Sequence, residues 1–310
     1  MDSDPVVAGV DHVLVRVDRH EPLYSILTGA FDLPSPWPLA SHPAFASAGV
    51  SFGNVDVELV RFGPTFGRTG GANARLYGIA FAPDGDLRTS ERRLAARNVR
   101  HSGVVPYVRR GWDGTLDHLW NAVYLGGLLD DNLWQRGVFA LLRALPESFA
   151  KSRPSGARGD VVALLDRAFP NGMAFLVEYE PAFSEAFERE ESRRALRERG
   201  GGPLGVEGLA EIVVGVENFE RTRRRWTRLL APAEERERGV WRLPGGGPAI
   251  RLVPRRKSGV EALVVAVADL ATAAAFLEER GLSGGVEDGV GRVDAGSLGI
   301  DLRLVERSEA

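Results

Sequence analysis

Cysteine is absent from the 310 residues. That excludes a disulfide framework, a thiolate zinc site, a cysteine-ligated iron–sulfur cluster and a thiol nucleophile. Lysine is almost absent as well. Of 39 basic residues only Lys151 and Lys257 are lysine, an arginine bias that reads as a GC-rich bacterial genome before it reads as function. No excess of one charge exists either: 39 cations face 42 anions, a net charge of -3. Such a balance gives no global field for nucleic acid or an anionic membrane, so neither is an expected partner. Histidines number five, so a metal would draw on His, Asp, Glu or Tyr. No apolar run is long enough to span a bilayer; the longest, 262–277, is broken by Asp269 and reads as a strand turning into a helix. The opening Met-Asp-Ser-Asp-Pro carries no apolar leader segment, and a cytoplasmic protein is expected. There is no Gly-x-Ser-x-Gly elbow, and the Gly-rich stretch 67–73 lacks the Lys-Ser/Thr of a phosphate loop.

What the sequence does contain is a repeat. Gly-Val-Asp-His-Val-Leu-Val-Arg-Val-Asp begins at residue 9. Gly-Leu-Ala-Glu-Ile-Val-Val-Gly-Val-Glu-Asn begins at 208, and Gly-Val-Glu-Ala-Leu-Val-Val-Ala-Val-Ala-Asp at 259. Each is a β-branched run ending in a residue able to cap a helix. Each precedes an amphipathic pattern, over 20–31, 219–230 and 270–280, with apolar groups on one 3.6-period face. Short strands and Gly turns follow. The segments 9–62, 208–254 and 259–306 therefore each read βαβββ, a unit too small to bury its own sheet face.

A fourth copy, 76–180, is stretched. Strands at 76–82 and 104–108 flank a helix at 86–98, and the closing strand at 173–179 arrives late. The intervening insertion, 109–171, holds Trp112, Trp120, Tyr124 and two helical patterns, 132–145 and 159–168. A long insertion of this kind serves either as a lid or binding loop or as a packing extension. Segment 182–203 alternates Arg with Glu, ends in Gly and reads as a charged linker helix. The expected organisation is an N-terminal domain at 1–181, this linker, and a C-terminal domain at 204–310. The fold class is α+β: four βαβββ modules paired into two cupped mixed-sheet domains.

Paired βαβββ modules, a first strand Asp-His-Val-Leu-Val-x-Val and a closing Val-Glu-Leu-Val resemble the vicinal oxygen chelate superfamily, the stretch 42–62 most of all its glyoxalase-like branch. That superfamily includes glyoxalase I, extradiol dioxygenases and fosfomycin- and bleomycin-resistance proteins. The resemblance implies that each module pair forms a cup around a divalent metal, ligated near the start of each module's first strand and in its last strand. It points to His12 and Glu58 in the first module and to Tyr77 and Glu178 in the second. Tyr77 departs from the usual His or Gln, which leaves His12, Glu58 and Glu178 as the metal ligands, completed by water or by Tyr77 as a hydroxyl facing the site. It further implies a lyase, isomerase or dioxygenase acting on a small substrate with vicinal oxygens, with Glu58 or Glu178 as an alternative base. The alternative it offers is a metal-free protein that sequesters a small molecule, as resistance proteins of this fold do.

Strand alternation puts Glu58 opposite Val57 and Leu59, and Glu178 opposite Val177 and Tyr179. One imidazole and two carboxylates suit one Mn, Fe, Zn or Ni ion; the other reading has His12 bonded to a carbonyl and both glutamates solvated or paired with Arg. The corresponding C-terminal positions are Glu211, Arg251, Ala262 and Arg303. Arginine does not ligate metals, so an ion-paired cluster and no cofactor are expected there. His42, His101, His118 and Trp120 are weaker pocket candidates, Asp117-His118 as an acid–base pair or as a surface loop. Expected partners are a small-molecule substrate or ligand, in a monomer or homodimer.

Overall fold

The computed structural model describes residues 4–41, 45–63, 73–110, 115–129, 131–144, 165 and 167–307. The strands described are β1 (Val7–Val17), β2 (Ala40–Ser41), β3 (Phe45–Ser51), β4 (Asp56–Phe62), β5 (Ala74–Pro83), β6 (Val105–Arg110), β7 (Leu116–Leu125) and β8 (Met173–Tyr179) in one sheet. The other holds β9 (Val206–Val216), β10 (Glu235–Glu237), β11 (Val240–Trp241), β12 (Ala249–Pro254), β13 (Gly259–Val267), β14 (Ser283–Glu287), β15 (Val290–Val293) and β16 (Asp301–Glu306). Their orders, β2-β3-β4-β1-β5-β8-β7-β6 and β10-β11-β12-β9-β13-β16-β15-β14, are the same path run twice. In each, the first strands of two modules lie antiparallel at the centre, and each pairs in parallel with its own module's last strand. The fold is α+β, with two cupped mixed sheets.

The helices follow local rules. α1 (Glu21–Ser25) runs on as a π-helix over Ile26–Ala30. Asp86 caps α2 (Leu87–Ala96) by accepting from Thr89 N at 2.8 Å. α3 (Leu133–Ala144) and α4 (Arg189–Glu198) follow. Asn218 caps α5 (Phe219–Leu230), and Asp269 caps α6 (Leu270–Glu279). The expected bounds of α5 agree with the structure, whereas the helix expected over 159–168 lies mostly outside the described residues.

The insertion expected over 109–171 is shorter than the sequence suggested. Residues 116–125 form β7, fully paired with β6 and β8, so the second module is a complete βαβββ unit. The excess chain lies between β7 and β8. The strand shows no apolar–polar alternation in the sequence because both its faces are covered, Val123 and Leu125 by the main core and Ala122 and Tyr124 by the cup cluster.

One face of both sheets, with α1, α2, α5 and α6, builds a continuous core that includes Val13, Ile79, Phe81, Ile212, Trp226 and Leu263. The halves are tied by a two-way amide bond: Asn54 Nδ2 donates to Leu209 O at 2.9 Å and Leu209 N donates to Asn54 Oδ1 at 2.7 Å. The concave face of the first sheet carries its own cluster, including Leu14, Val60, Tyr77, Ala80, Phe175 and Val177.

Candidate functional site

The site begins with register. In β1, Asp11 is the extra residue of a bulge between Val10 and His12; in β5, Tyr77 is the extra residue of the matching bulge. Val13 faces Ile79 at the centre, so the pseudo-twofold relation of the modules matches His12 with Gly78 and Asp11 with Tyr77. In the parallel pairs, Leu14 faces Glu58 and Ala80 faces Phe175, which matches Glu58 with Phe175. The first module thus supplies His and Glu to the concave face, where the second supplies Gly and Phe.

His12 is buried between two carboxylates. Its Nδ1 lies 2.7 Å from Asp11 Oδ1, and its Nε2 lies 3.1 Å from Glu58 Oε2. The second contact has the length of an ion pair without hydrogen-bond alignment, so the buried Nε2 has no aligned acceptor among the described residues. Burial opposes the charged ring, but the Asp11 and Glu58 carboxylates outweigh it and hold the imidazole pKa up at about 9. Phe175 meets the ring edge-on at 5.9 Å.

Arg189, from α4, closes the wall behind this pair. It donates Nη1 to Asp11 Oδ2 at 3.0 Å and Nη2 to Asp11 Oδ1 at 3.1 Å, and its Nε lies 3.2 Å from Asp56 Oδ2. Asp56, on the His12 face of β4, is wholly buried. Burial raises its pKa, with Arg189 pulling the other way. For Asp11, burial is outweighed by His12 and Arg189, so it stays ionised well below the usual carboxylate range. Tyr179 donates its hydroxyl to Asp11 Oδ1 at 3.1 Å; burial and the Asp11 charge keep that hydroxyl protonated.

Above this floor opens a cavity of about 320 Å³. Its walls are largely rings and aliphatic groups: Trp37, Phe45, Phe62, Tyr107, Trp120, Tyr124, Phe175, Tyr179, Phe183 and Phe187. Tyr107 and Trp120 stack with centroids 4.0 Å apart and planes 8° from parallel. Arg109 lies among the lining residues and reaches Asp117 at 3.2 Å.

The expected site residues separate into two groups. His12, Glu58 and Trp120 belong to the cavity. Glu178 does not: it lies on the other face of β8, where its Oε1 accepts from Leu87 N, 3.0 Å away, at the start of α2. Tyr179, its neighbour, takes the concave side. Tyr77 is fully buried below the cavity, donates its hydroxyl to Phe169 O at 3.4 Å and has the Arg75 and Arg16 guanidiniums 5.0 and 5.6 Å from its ring centroid. It is not among the residues lining the cavity. His118 bonds Glu180 at 2.7 Å and Asn121 at 3.0 Å, so the Asp117-His118 pair does not form. His101 lines a different cleft, and His42 and Trp112 lie outside the described residues. In the C-terminal half, Glu211 and Arg251 do pair, at 2.7 and 2.8 Å, while Arg303 turns to Asp301.

Sequence reading missed Asp11, Asp56, Tyr179 and Arg189. Asp56 was findable, two residues from Glu58 on an alternating strand. Arg189 carried no signal within its charged helix.

The expected three-ligand metal set is not assembled. His12 and Glu58 converge, Glu178 faces away, and the symmetry-matched positions are Gly78 and Phe175. Among the described residues no group of three His, Asp or Glu is arranged to hold a cation. This donor set does not fit a resident divalent metal.

No protein-family model matches the sequence, and no curated protein matches it. Solved structures do match in fold. A hypothetical protein from Staphylococcus aureus aligns with a TM-score of 0.54 at 11% identity, covering 96% of this chain and 98% of that one. A 2,3-dioxygenase from a Pseudomonas species aligns with a TM-score of 0.52 at 10% identity, covering 98% and 94%. A Mn(II)-bound glyoxalase from Novosphingobium aromaticivorans aligns with a TM-score of 0.51 at 11% identity, covering 98% and 83%. The chain shares its fold with these dioxygenase and glyoxalase structures.

Proposed function

We propose that the N-terminal cup binds a small, flat, largely apolar molecule whose oxygen atoms meet His12 and Glu58. The observation that carries this reading is an aromatic-walled cavity with the His12–Glu58 pair in its lining. The His12 Nε2–H, buried and without an aligned acceptor, is a donor for a ligand oxygen. Glu58 is an acceptor for a neighbouring hydroxyl. A ring carrying adjacent oxygens satisfies both, and the stacked Tyr107–Trp120 wall receives its face.

The same pair can move a proton. Glu58 takes it from an acidic hydroxyl or carbon of the ligand. The imidazolium of His12, fixed in orientation by Asp11, stabilises the negative charge left on the ligand oxygen. Sequestration needs only the first two contacts, whereas an isomerase- or lyase-type reaction needs this transfer as well. No step is derived through a metal, because the donor set does not suit one.

The test is a screen of ring-hydroxylated aromatics by thermal shift and Trp fluorescence on the full chain. A ligand should raise the melting temperature by mass action and quench Trp120, both effects being lost in Trp120→Ala. Glu58→Gln should separate the two uses of the site, since an enzyme loses turnover while a sequestering protein keeps most affinity. No ligand among such aromatics, or about one metal ion per chain that is lost in His12→Ala, would overturn the reading.

A further inference from the structure

A second cavity, of about 630 Å³, shares no lining residue with the aromatic cup. It lies where the two halves meet, between the end of α2, the turn after β7, α3 and α5, and its polar wall is guanidinium. Arg225 and Arg221 each place Nη2 2.7 Å from Asp131 Oδ2, and Arg100 reaches the other oxygen of the same carboxylate. Arg143 donates to the carbonyl of His101. Arg228, exposed, bonds Arg224 O of its own helix, at 3.4 Å, and no other group among the described residues. Among the described residues, neither Arg143 nor Arg228 meets a carboxylate. Counting Glu91, whose charge acts on His101, five guanidiniums face two carboxylates.

The backbone is shaped to this cluster. A Cβ at Gly127, where φ is +77°, would meet Arg225 Nη1 at 2.8 Å, and one at Gly126 would meet Phe139 Cε2 at 2.8 Å and Arg100 Cδ at 2.9 Å. Both glycines let a cationic arm lie against the turn, where Arg225 also donates to Gly127 O at 2.8 Å. Like charges gathered so closely repel, and an anion between them relieves the repulsion. Arg100, Arg225 and Arg143 are already held by hydrogen bonds and lose little freedom on binding, and forked guanidinium donors match phosphate oxygens. The cavity is far larger than one inorganic phosphate.

We propose that this cleft is a binding site for a phosphorylated small molecule, with its phosphate groups held by Arg143 and Arg228 against the wall formed by Arg100 and Arg225. The proposal is independent of what the aromatic cup binds.

The test is calorimetric titration of the full chain with sodium pyrophosphate at constant ionic strength, with citrate as the carboxylate comparison. The expected result is saturable binding of pyrophosphate at one site per chain, with citrate weaker. Arg228→Glu, which replaces a charge-assisted hydrogen bond by a like charge, should weaken it by at least about tenfold, and Arg228→Lys, which keeps the charge without the fork, should weaken it less. Arg143→Gln should weaken it in the same direction, and melting curves would establish that each variant is folded. Absence of saturable heat, equal affinity in a folded Arg228→Glu protein, or citrate binding as tight as pyrophosphate would overturn the proposal.

Discussion

Replacing Arg189 by Ala tests the electrostatics of the cup most directly. Two carboxylates lean on this one guanidinium: Asp11 through two hydrogen bonds of 3.0 and 3.1 Å, and the wholly buried Asp56 through a 3.2 Å contact. Removing one partner of a buried ion pair strands the other charge and costs about 3–5 kcal/mol. At roughly 2–4 °C per kcal/mol for a unit of this size, the melting temperature should fall by about 6–20 °C. The penalty should also depend on pH. Burial already raises the Asp56 pKa, and losing Arg189 raises it further. A carboxyl with a raised folded pKa contributes its stability below its unfolded value of 3.8 and loses it as pH rises through the folded pKa. Wild type and variant should therefore differ most near neutral pH and converge as the medium becomes acid. Urea unfolding at several pH values measures this. Asp56→Asn in the Arg189→Ala background should recover part of the loss, because it removes the stranded charge. A loss below about 1 kcal/mol for Arg189→Ala at neutral pH, or one that does not shrink in acid, would refute the account.

The His12 ring should titrate near 9 by NMR rather than at the ordinary 6.5. Its raised pKa contributes stability that is fully present below pH 6.5 and declines as pH rises towards about 9; an ordinary midpoint would contradict the buried imidazolium. Gly49→Ala should destabilise the protein by about 1–3 kcal/mol, because the new Cβ lies 2.5 Å from the Trp37 indole, itself almost fully buried. Chemical denaturation checks this, and an unchanged midpoint would mean that Trp37 can move freely aside.

The architecture was legible because β-branched runs, capping residues and Gly turns recur together, and each signal is local. Asp86, Asn218 and Asp269 mark helix starts in the sequence and occupy caps in the structure. The side taken by Glu58 was legible too, since Val-Glu-Leu-Val alternates and Glu58 lines the cup. The second half was not. From Met173 to Val177 every residue of β8 is buried, on both faces, so period-2 alternation vanishes and Glu178 gives no indication of its side. Its place was set by tertiary context, the amide start of α2 above it. Arg189 belongs to the same category: a residue in an Arg/Glu-alternating helix is indistinguishable from its neighbours until the chain folds back onto β1.

Gly78 occupies the place that mirrors His12, and a Cβ there would run into the carbonyl oxygen of Met173 at 2.5 Å. Placing an imidazole at that point would require the neighbouring strand to be displaced, not one side chain exchanged. The lopsidedness of the cup is thus built into its main chain, and a matched pair of imidazoles would need a different spacing between β5 and β8.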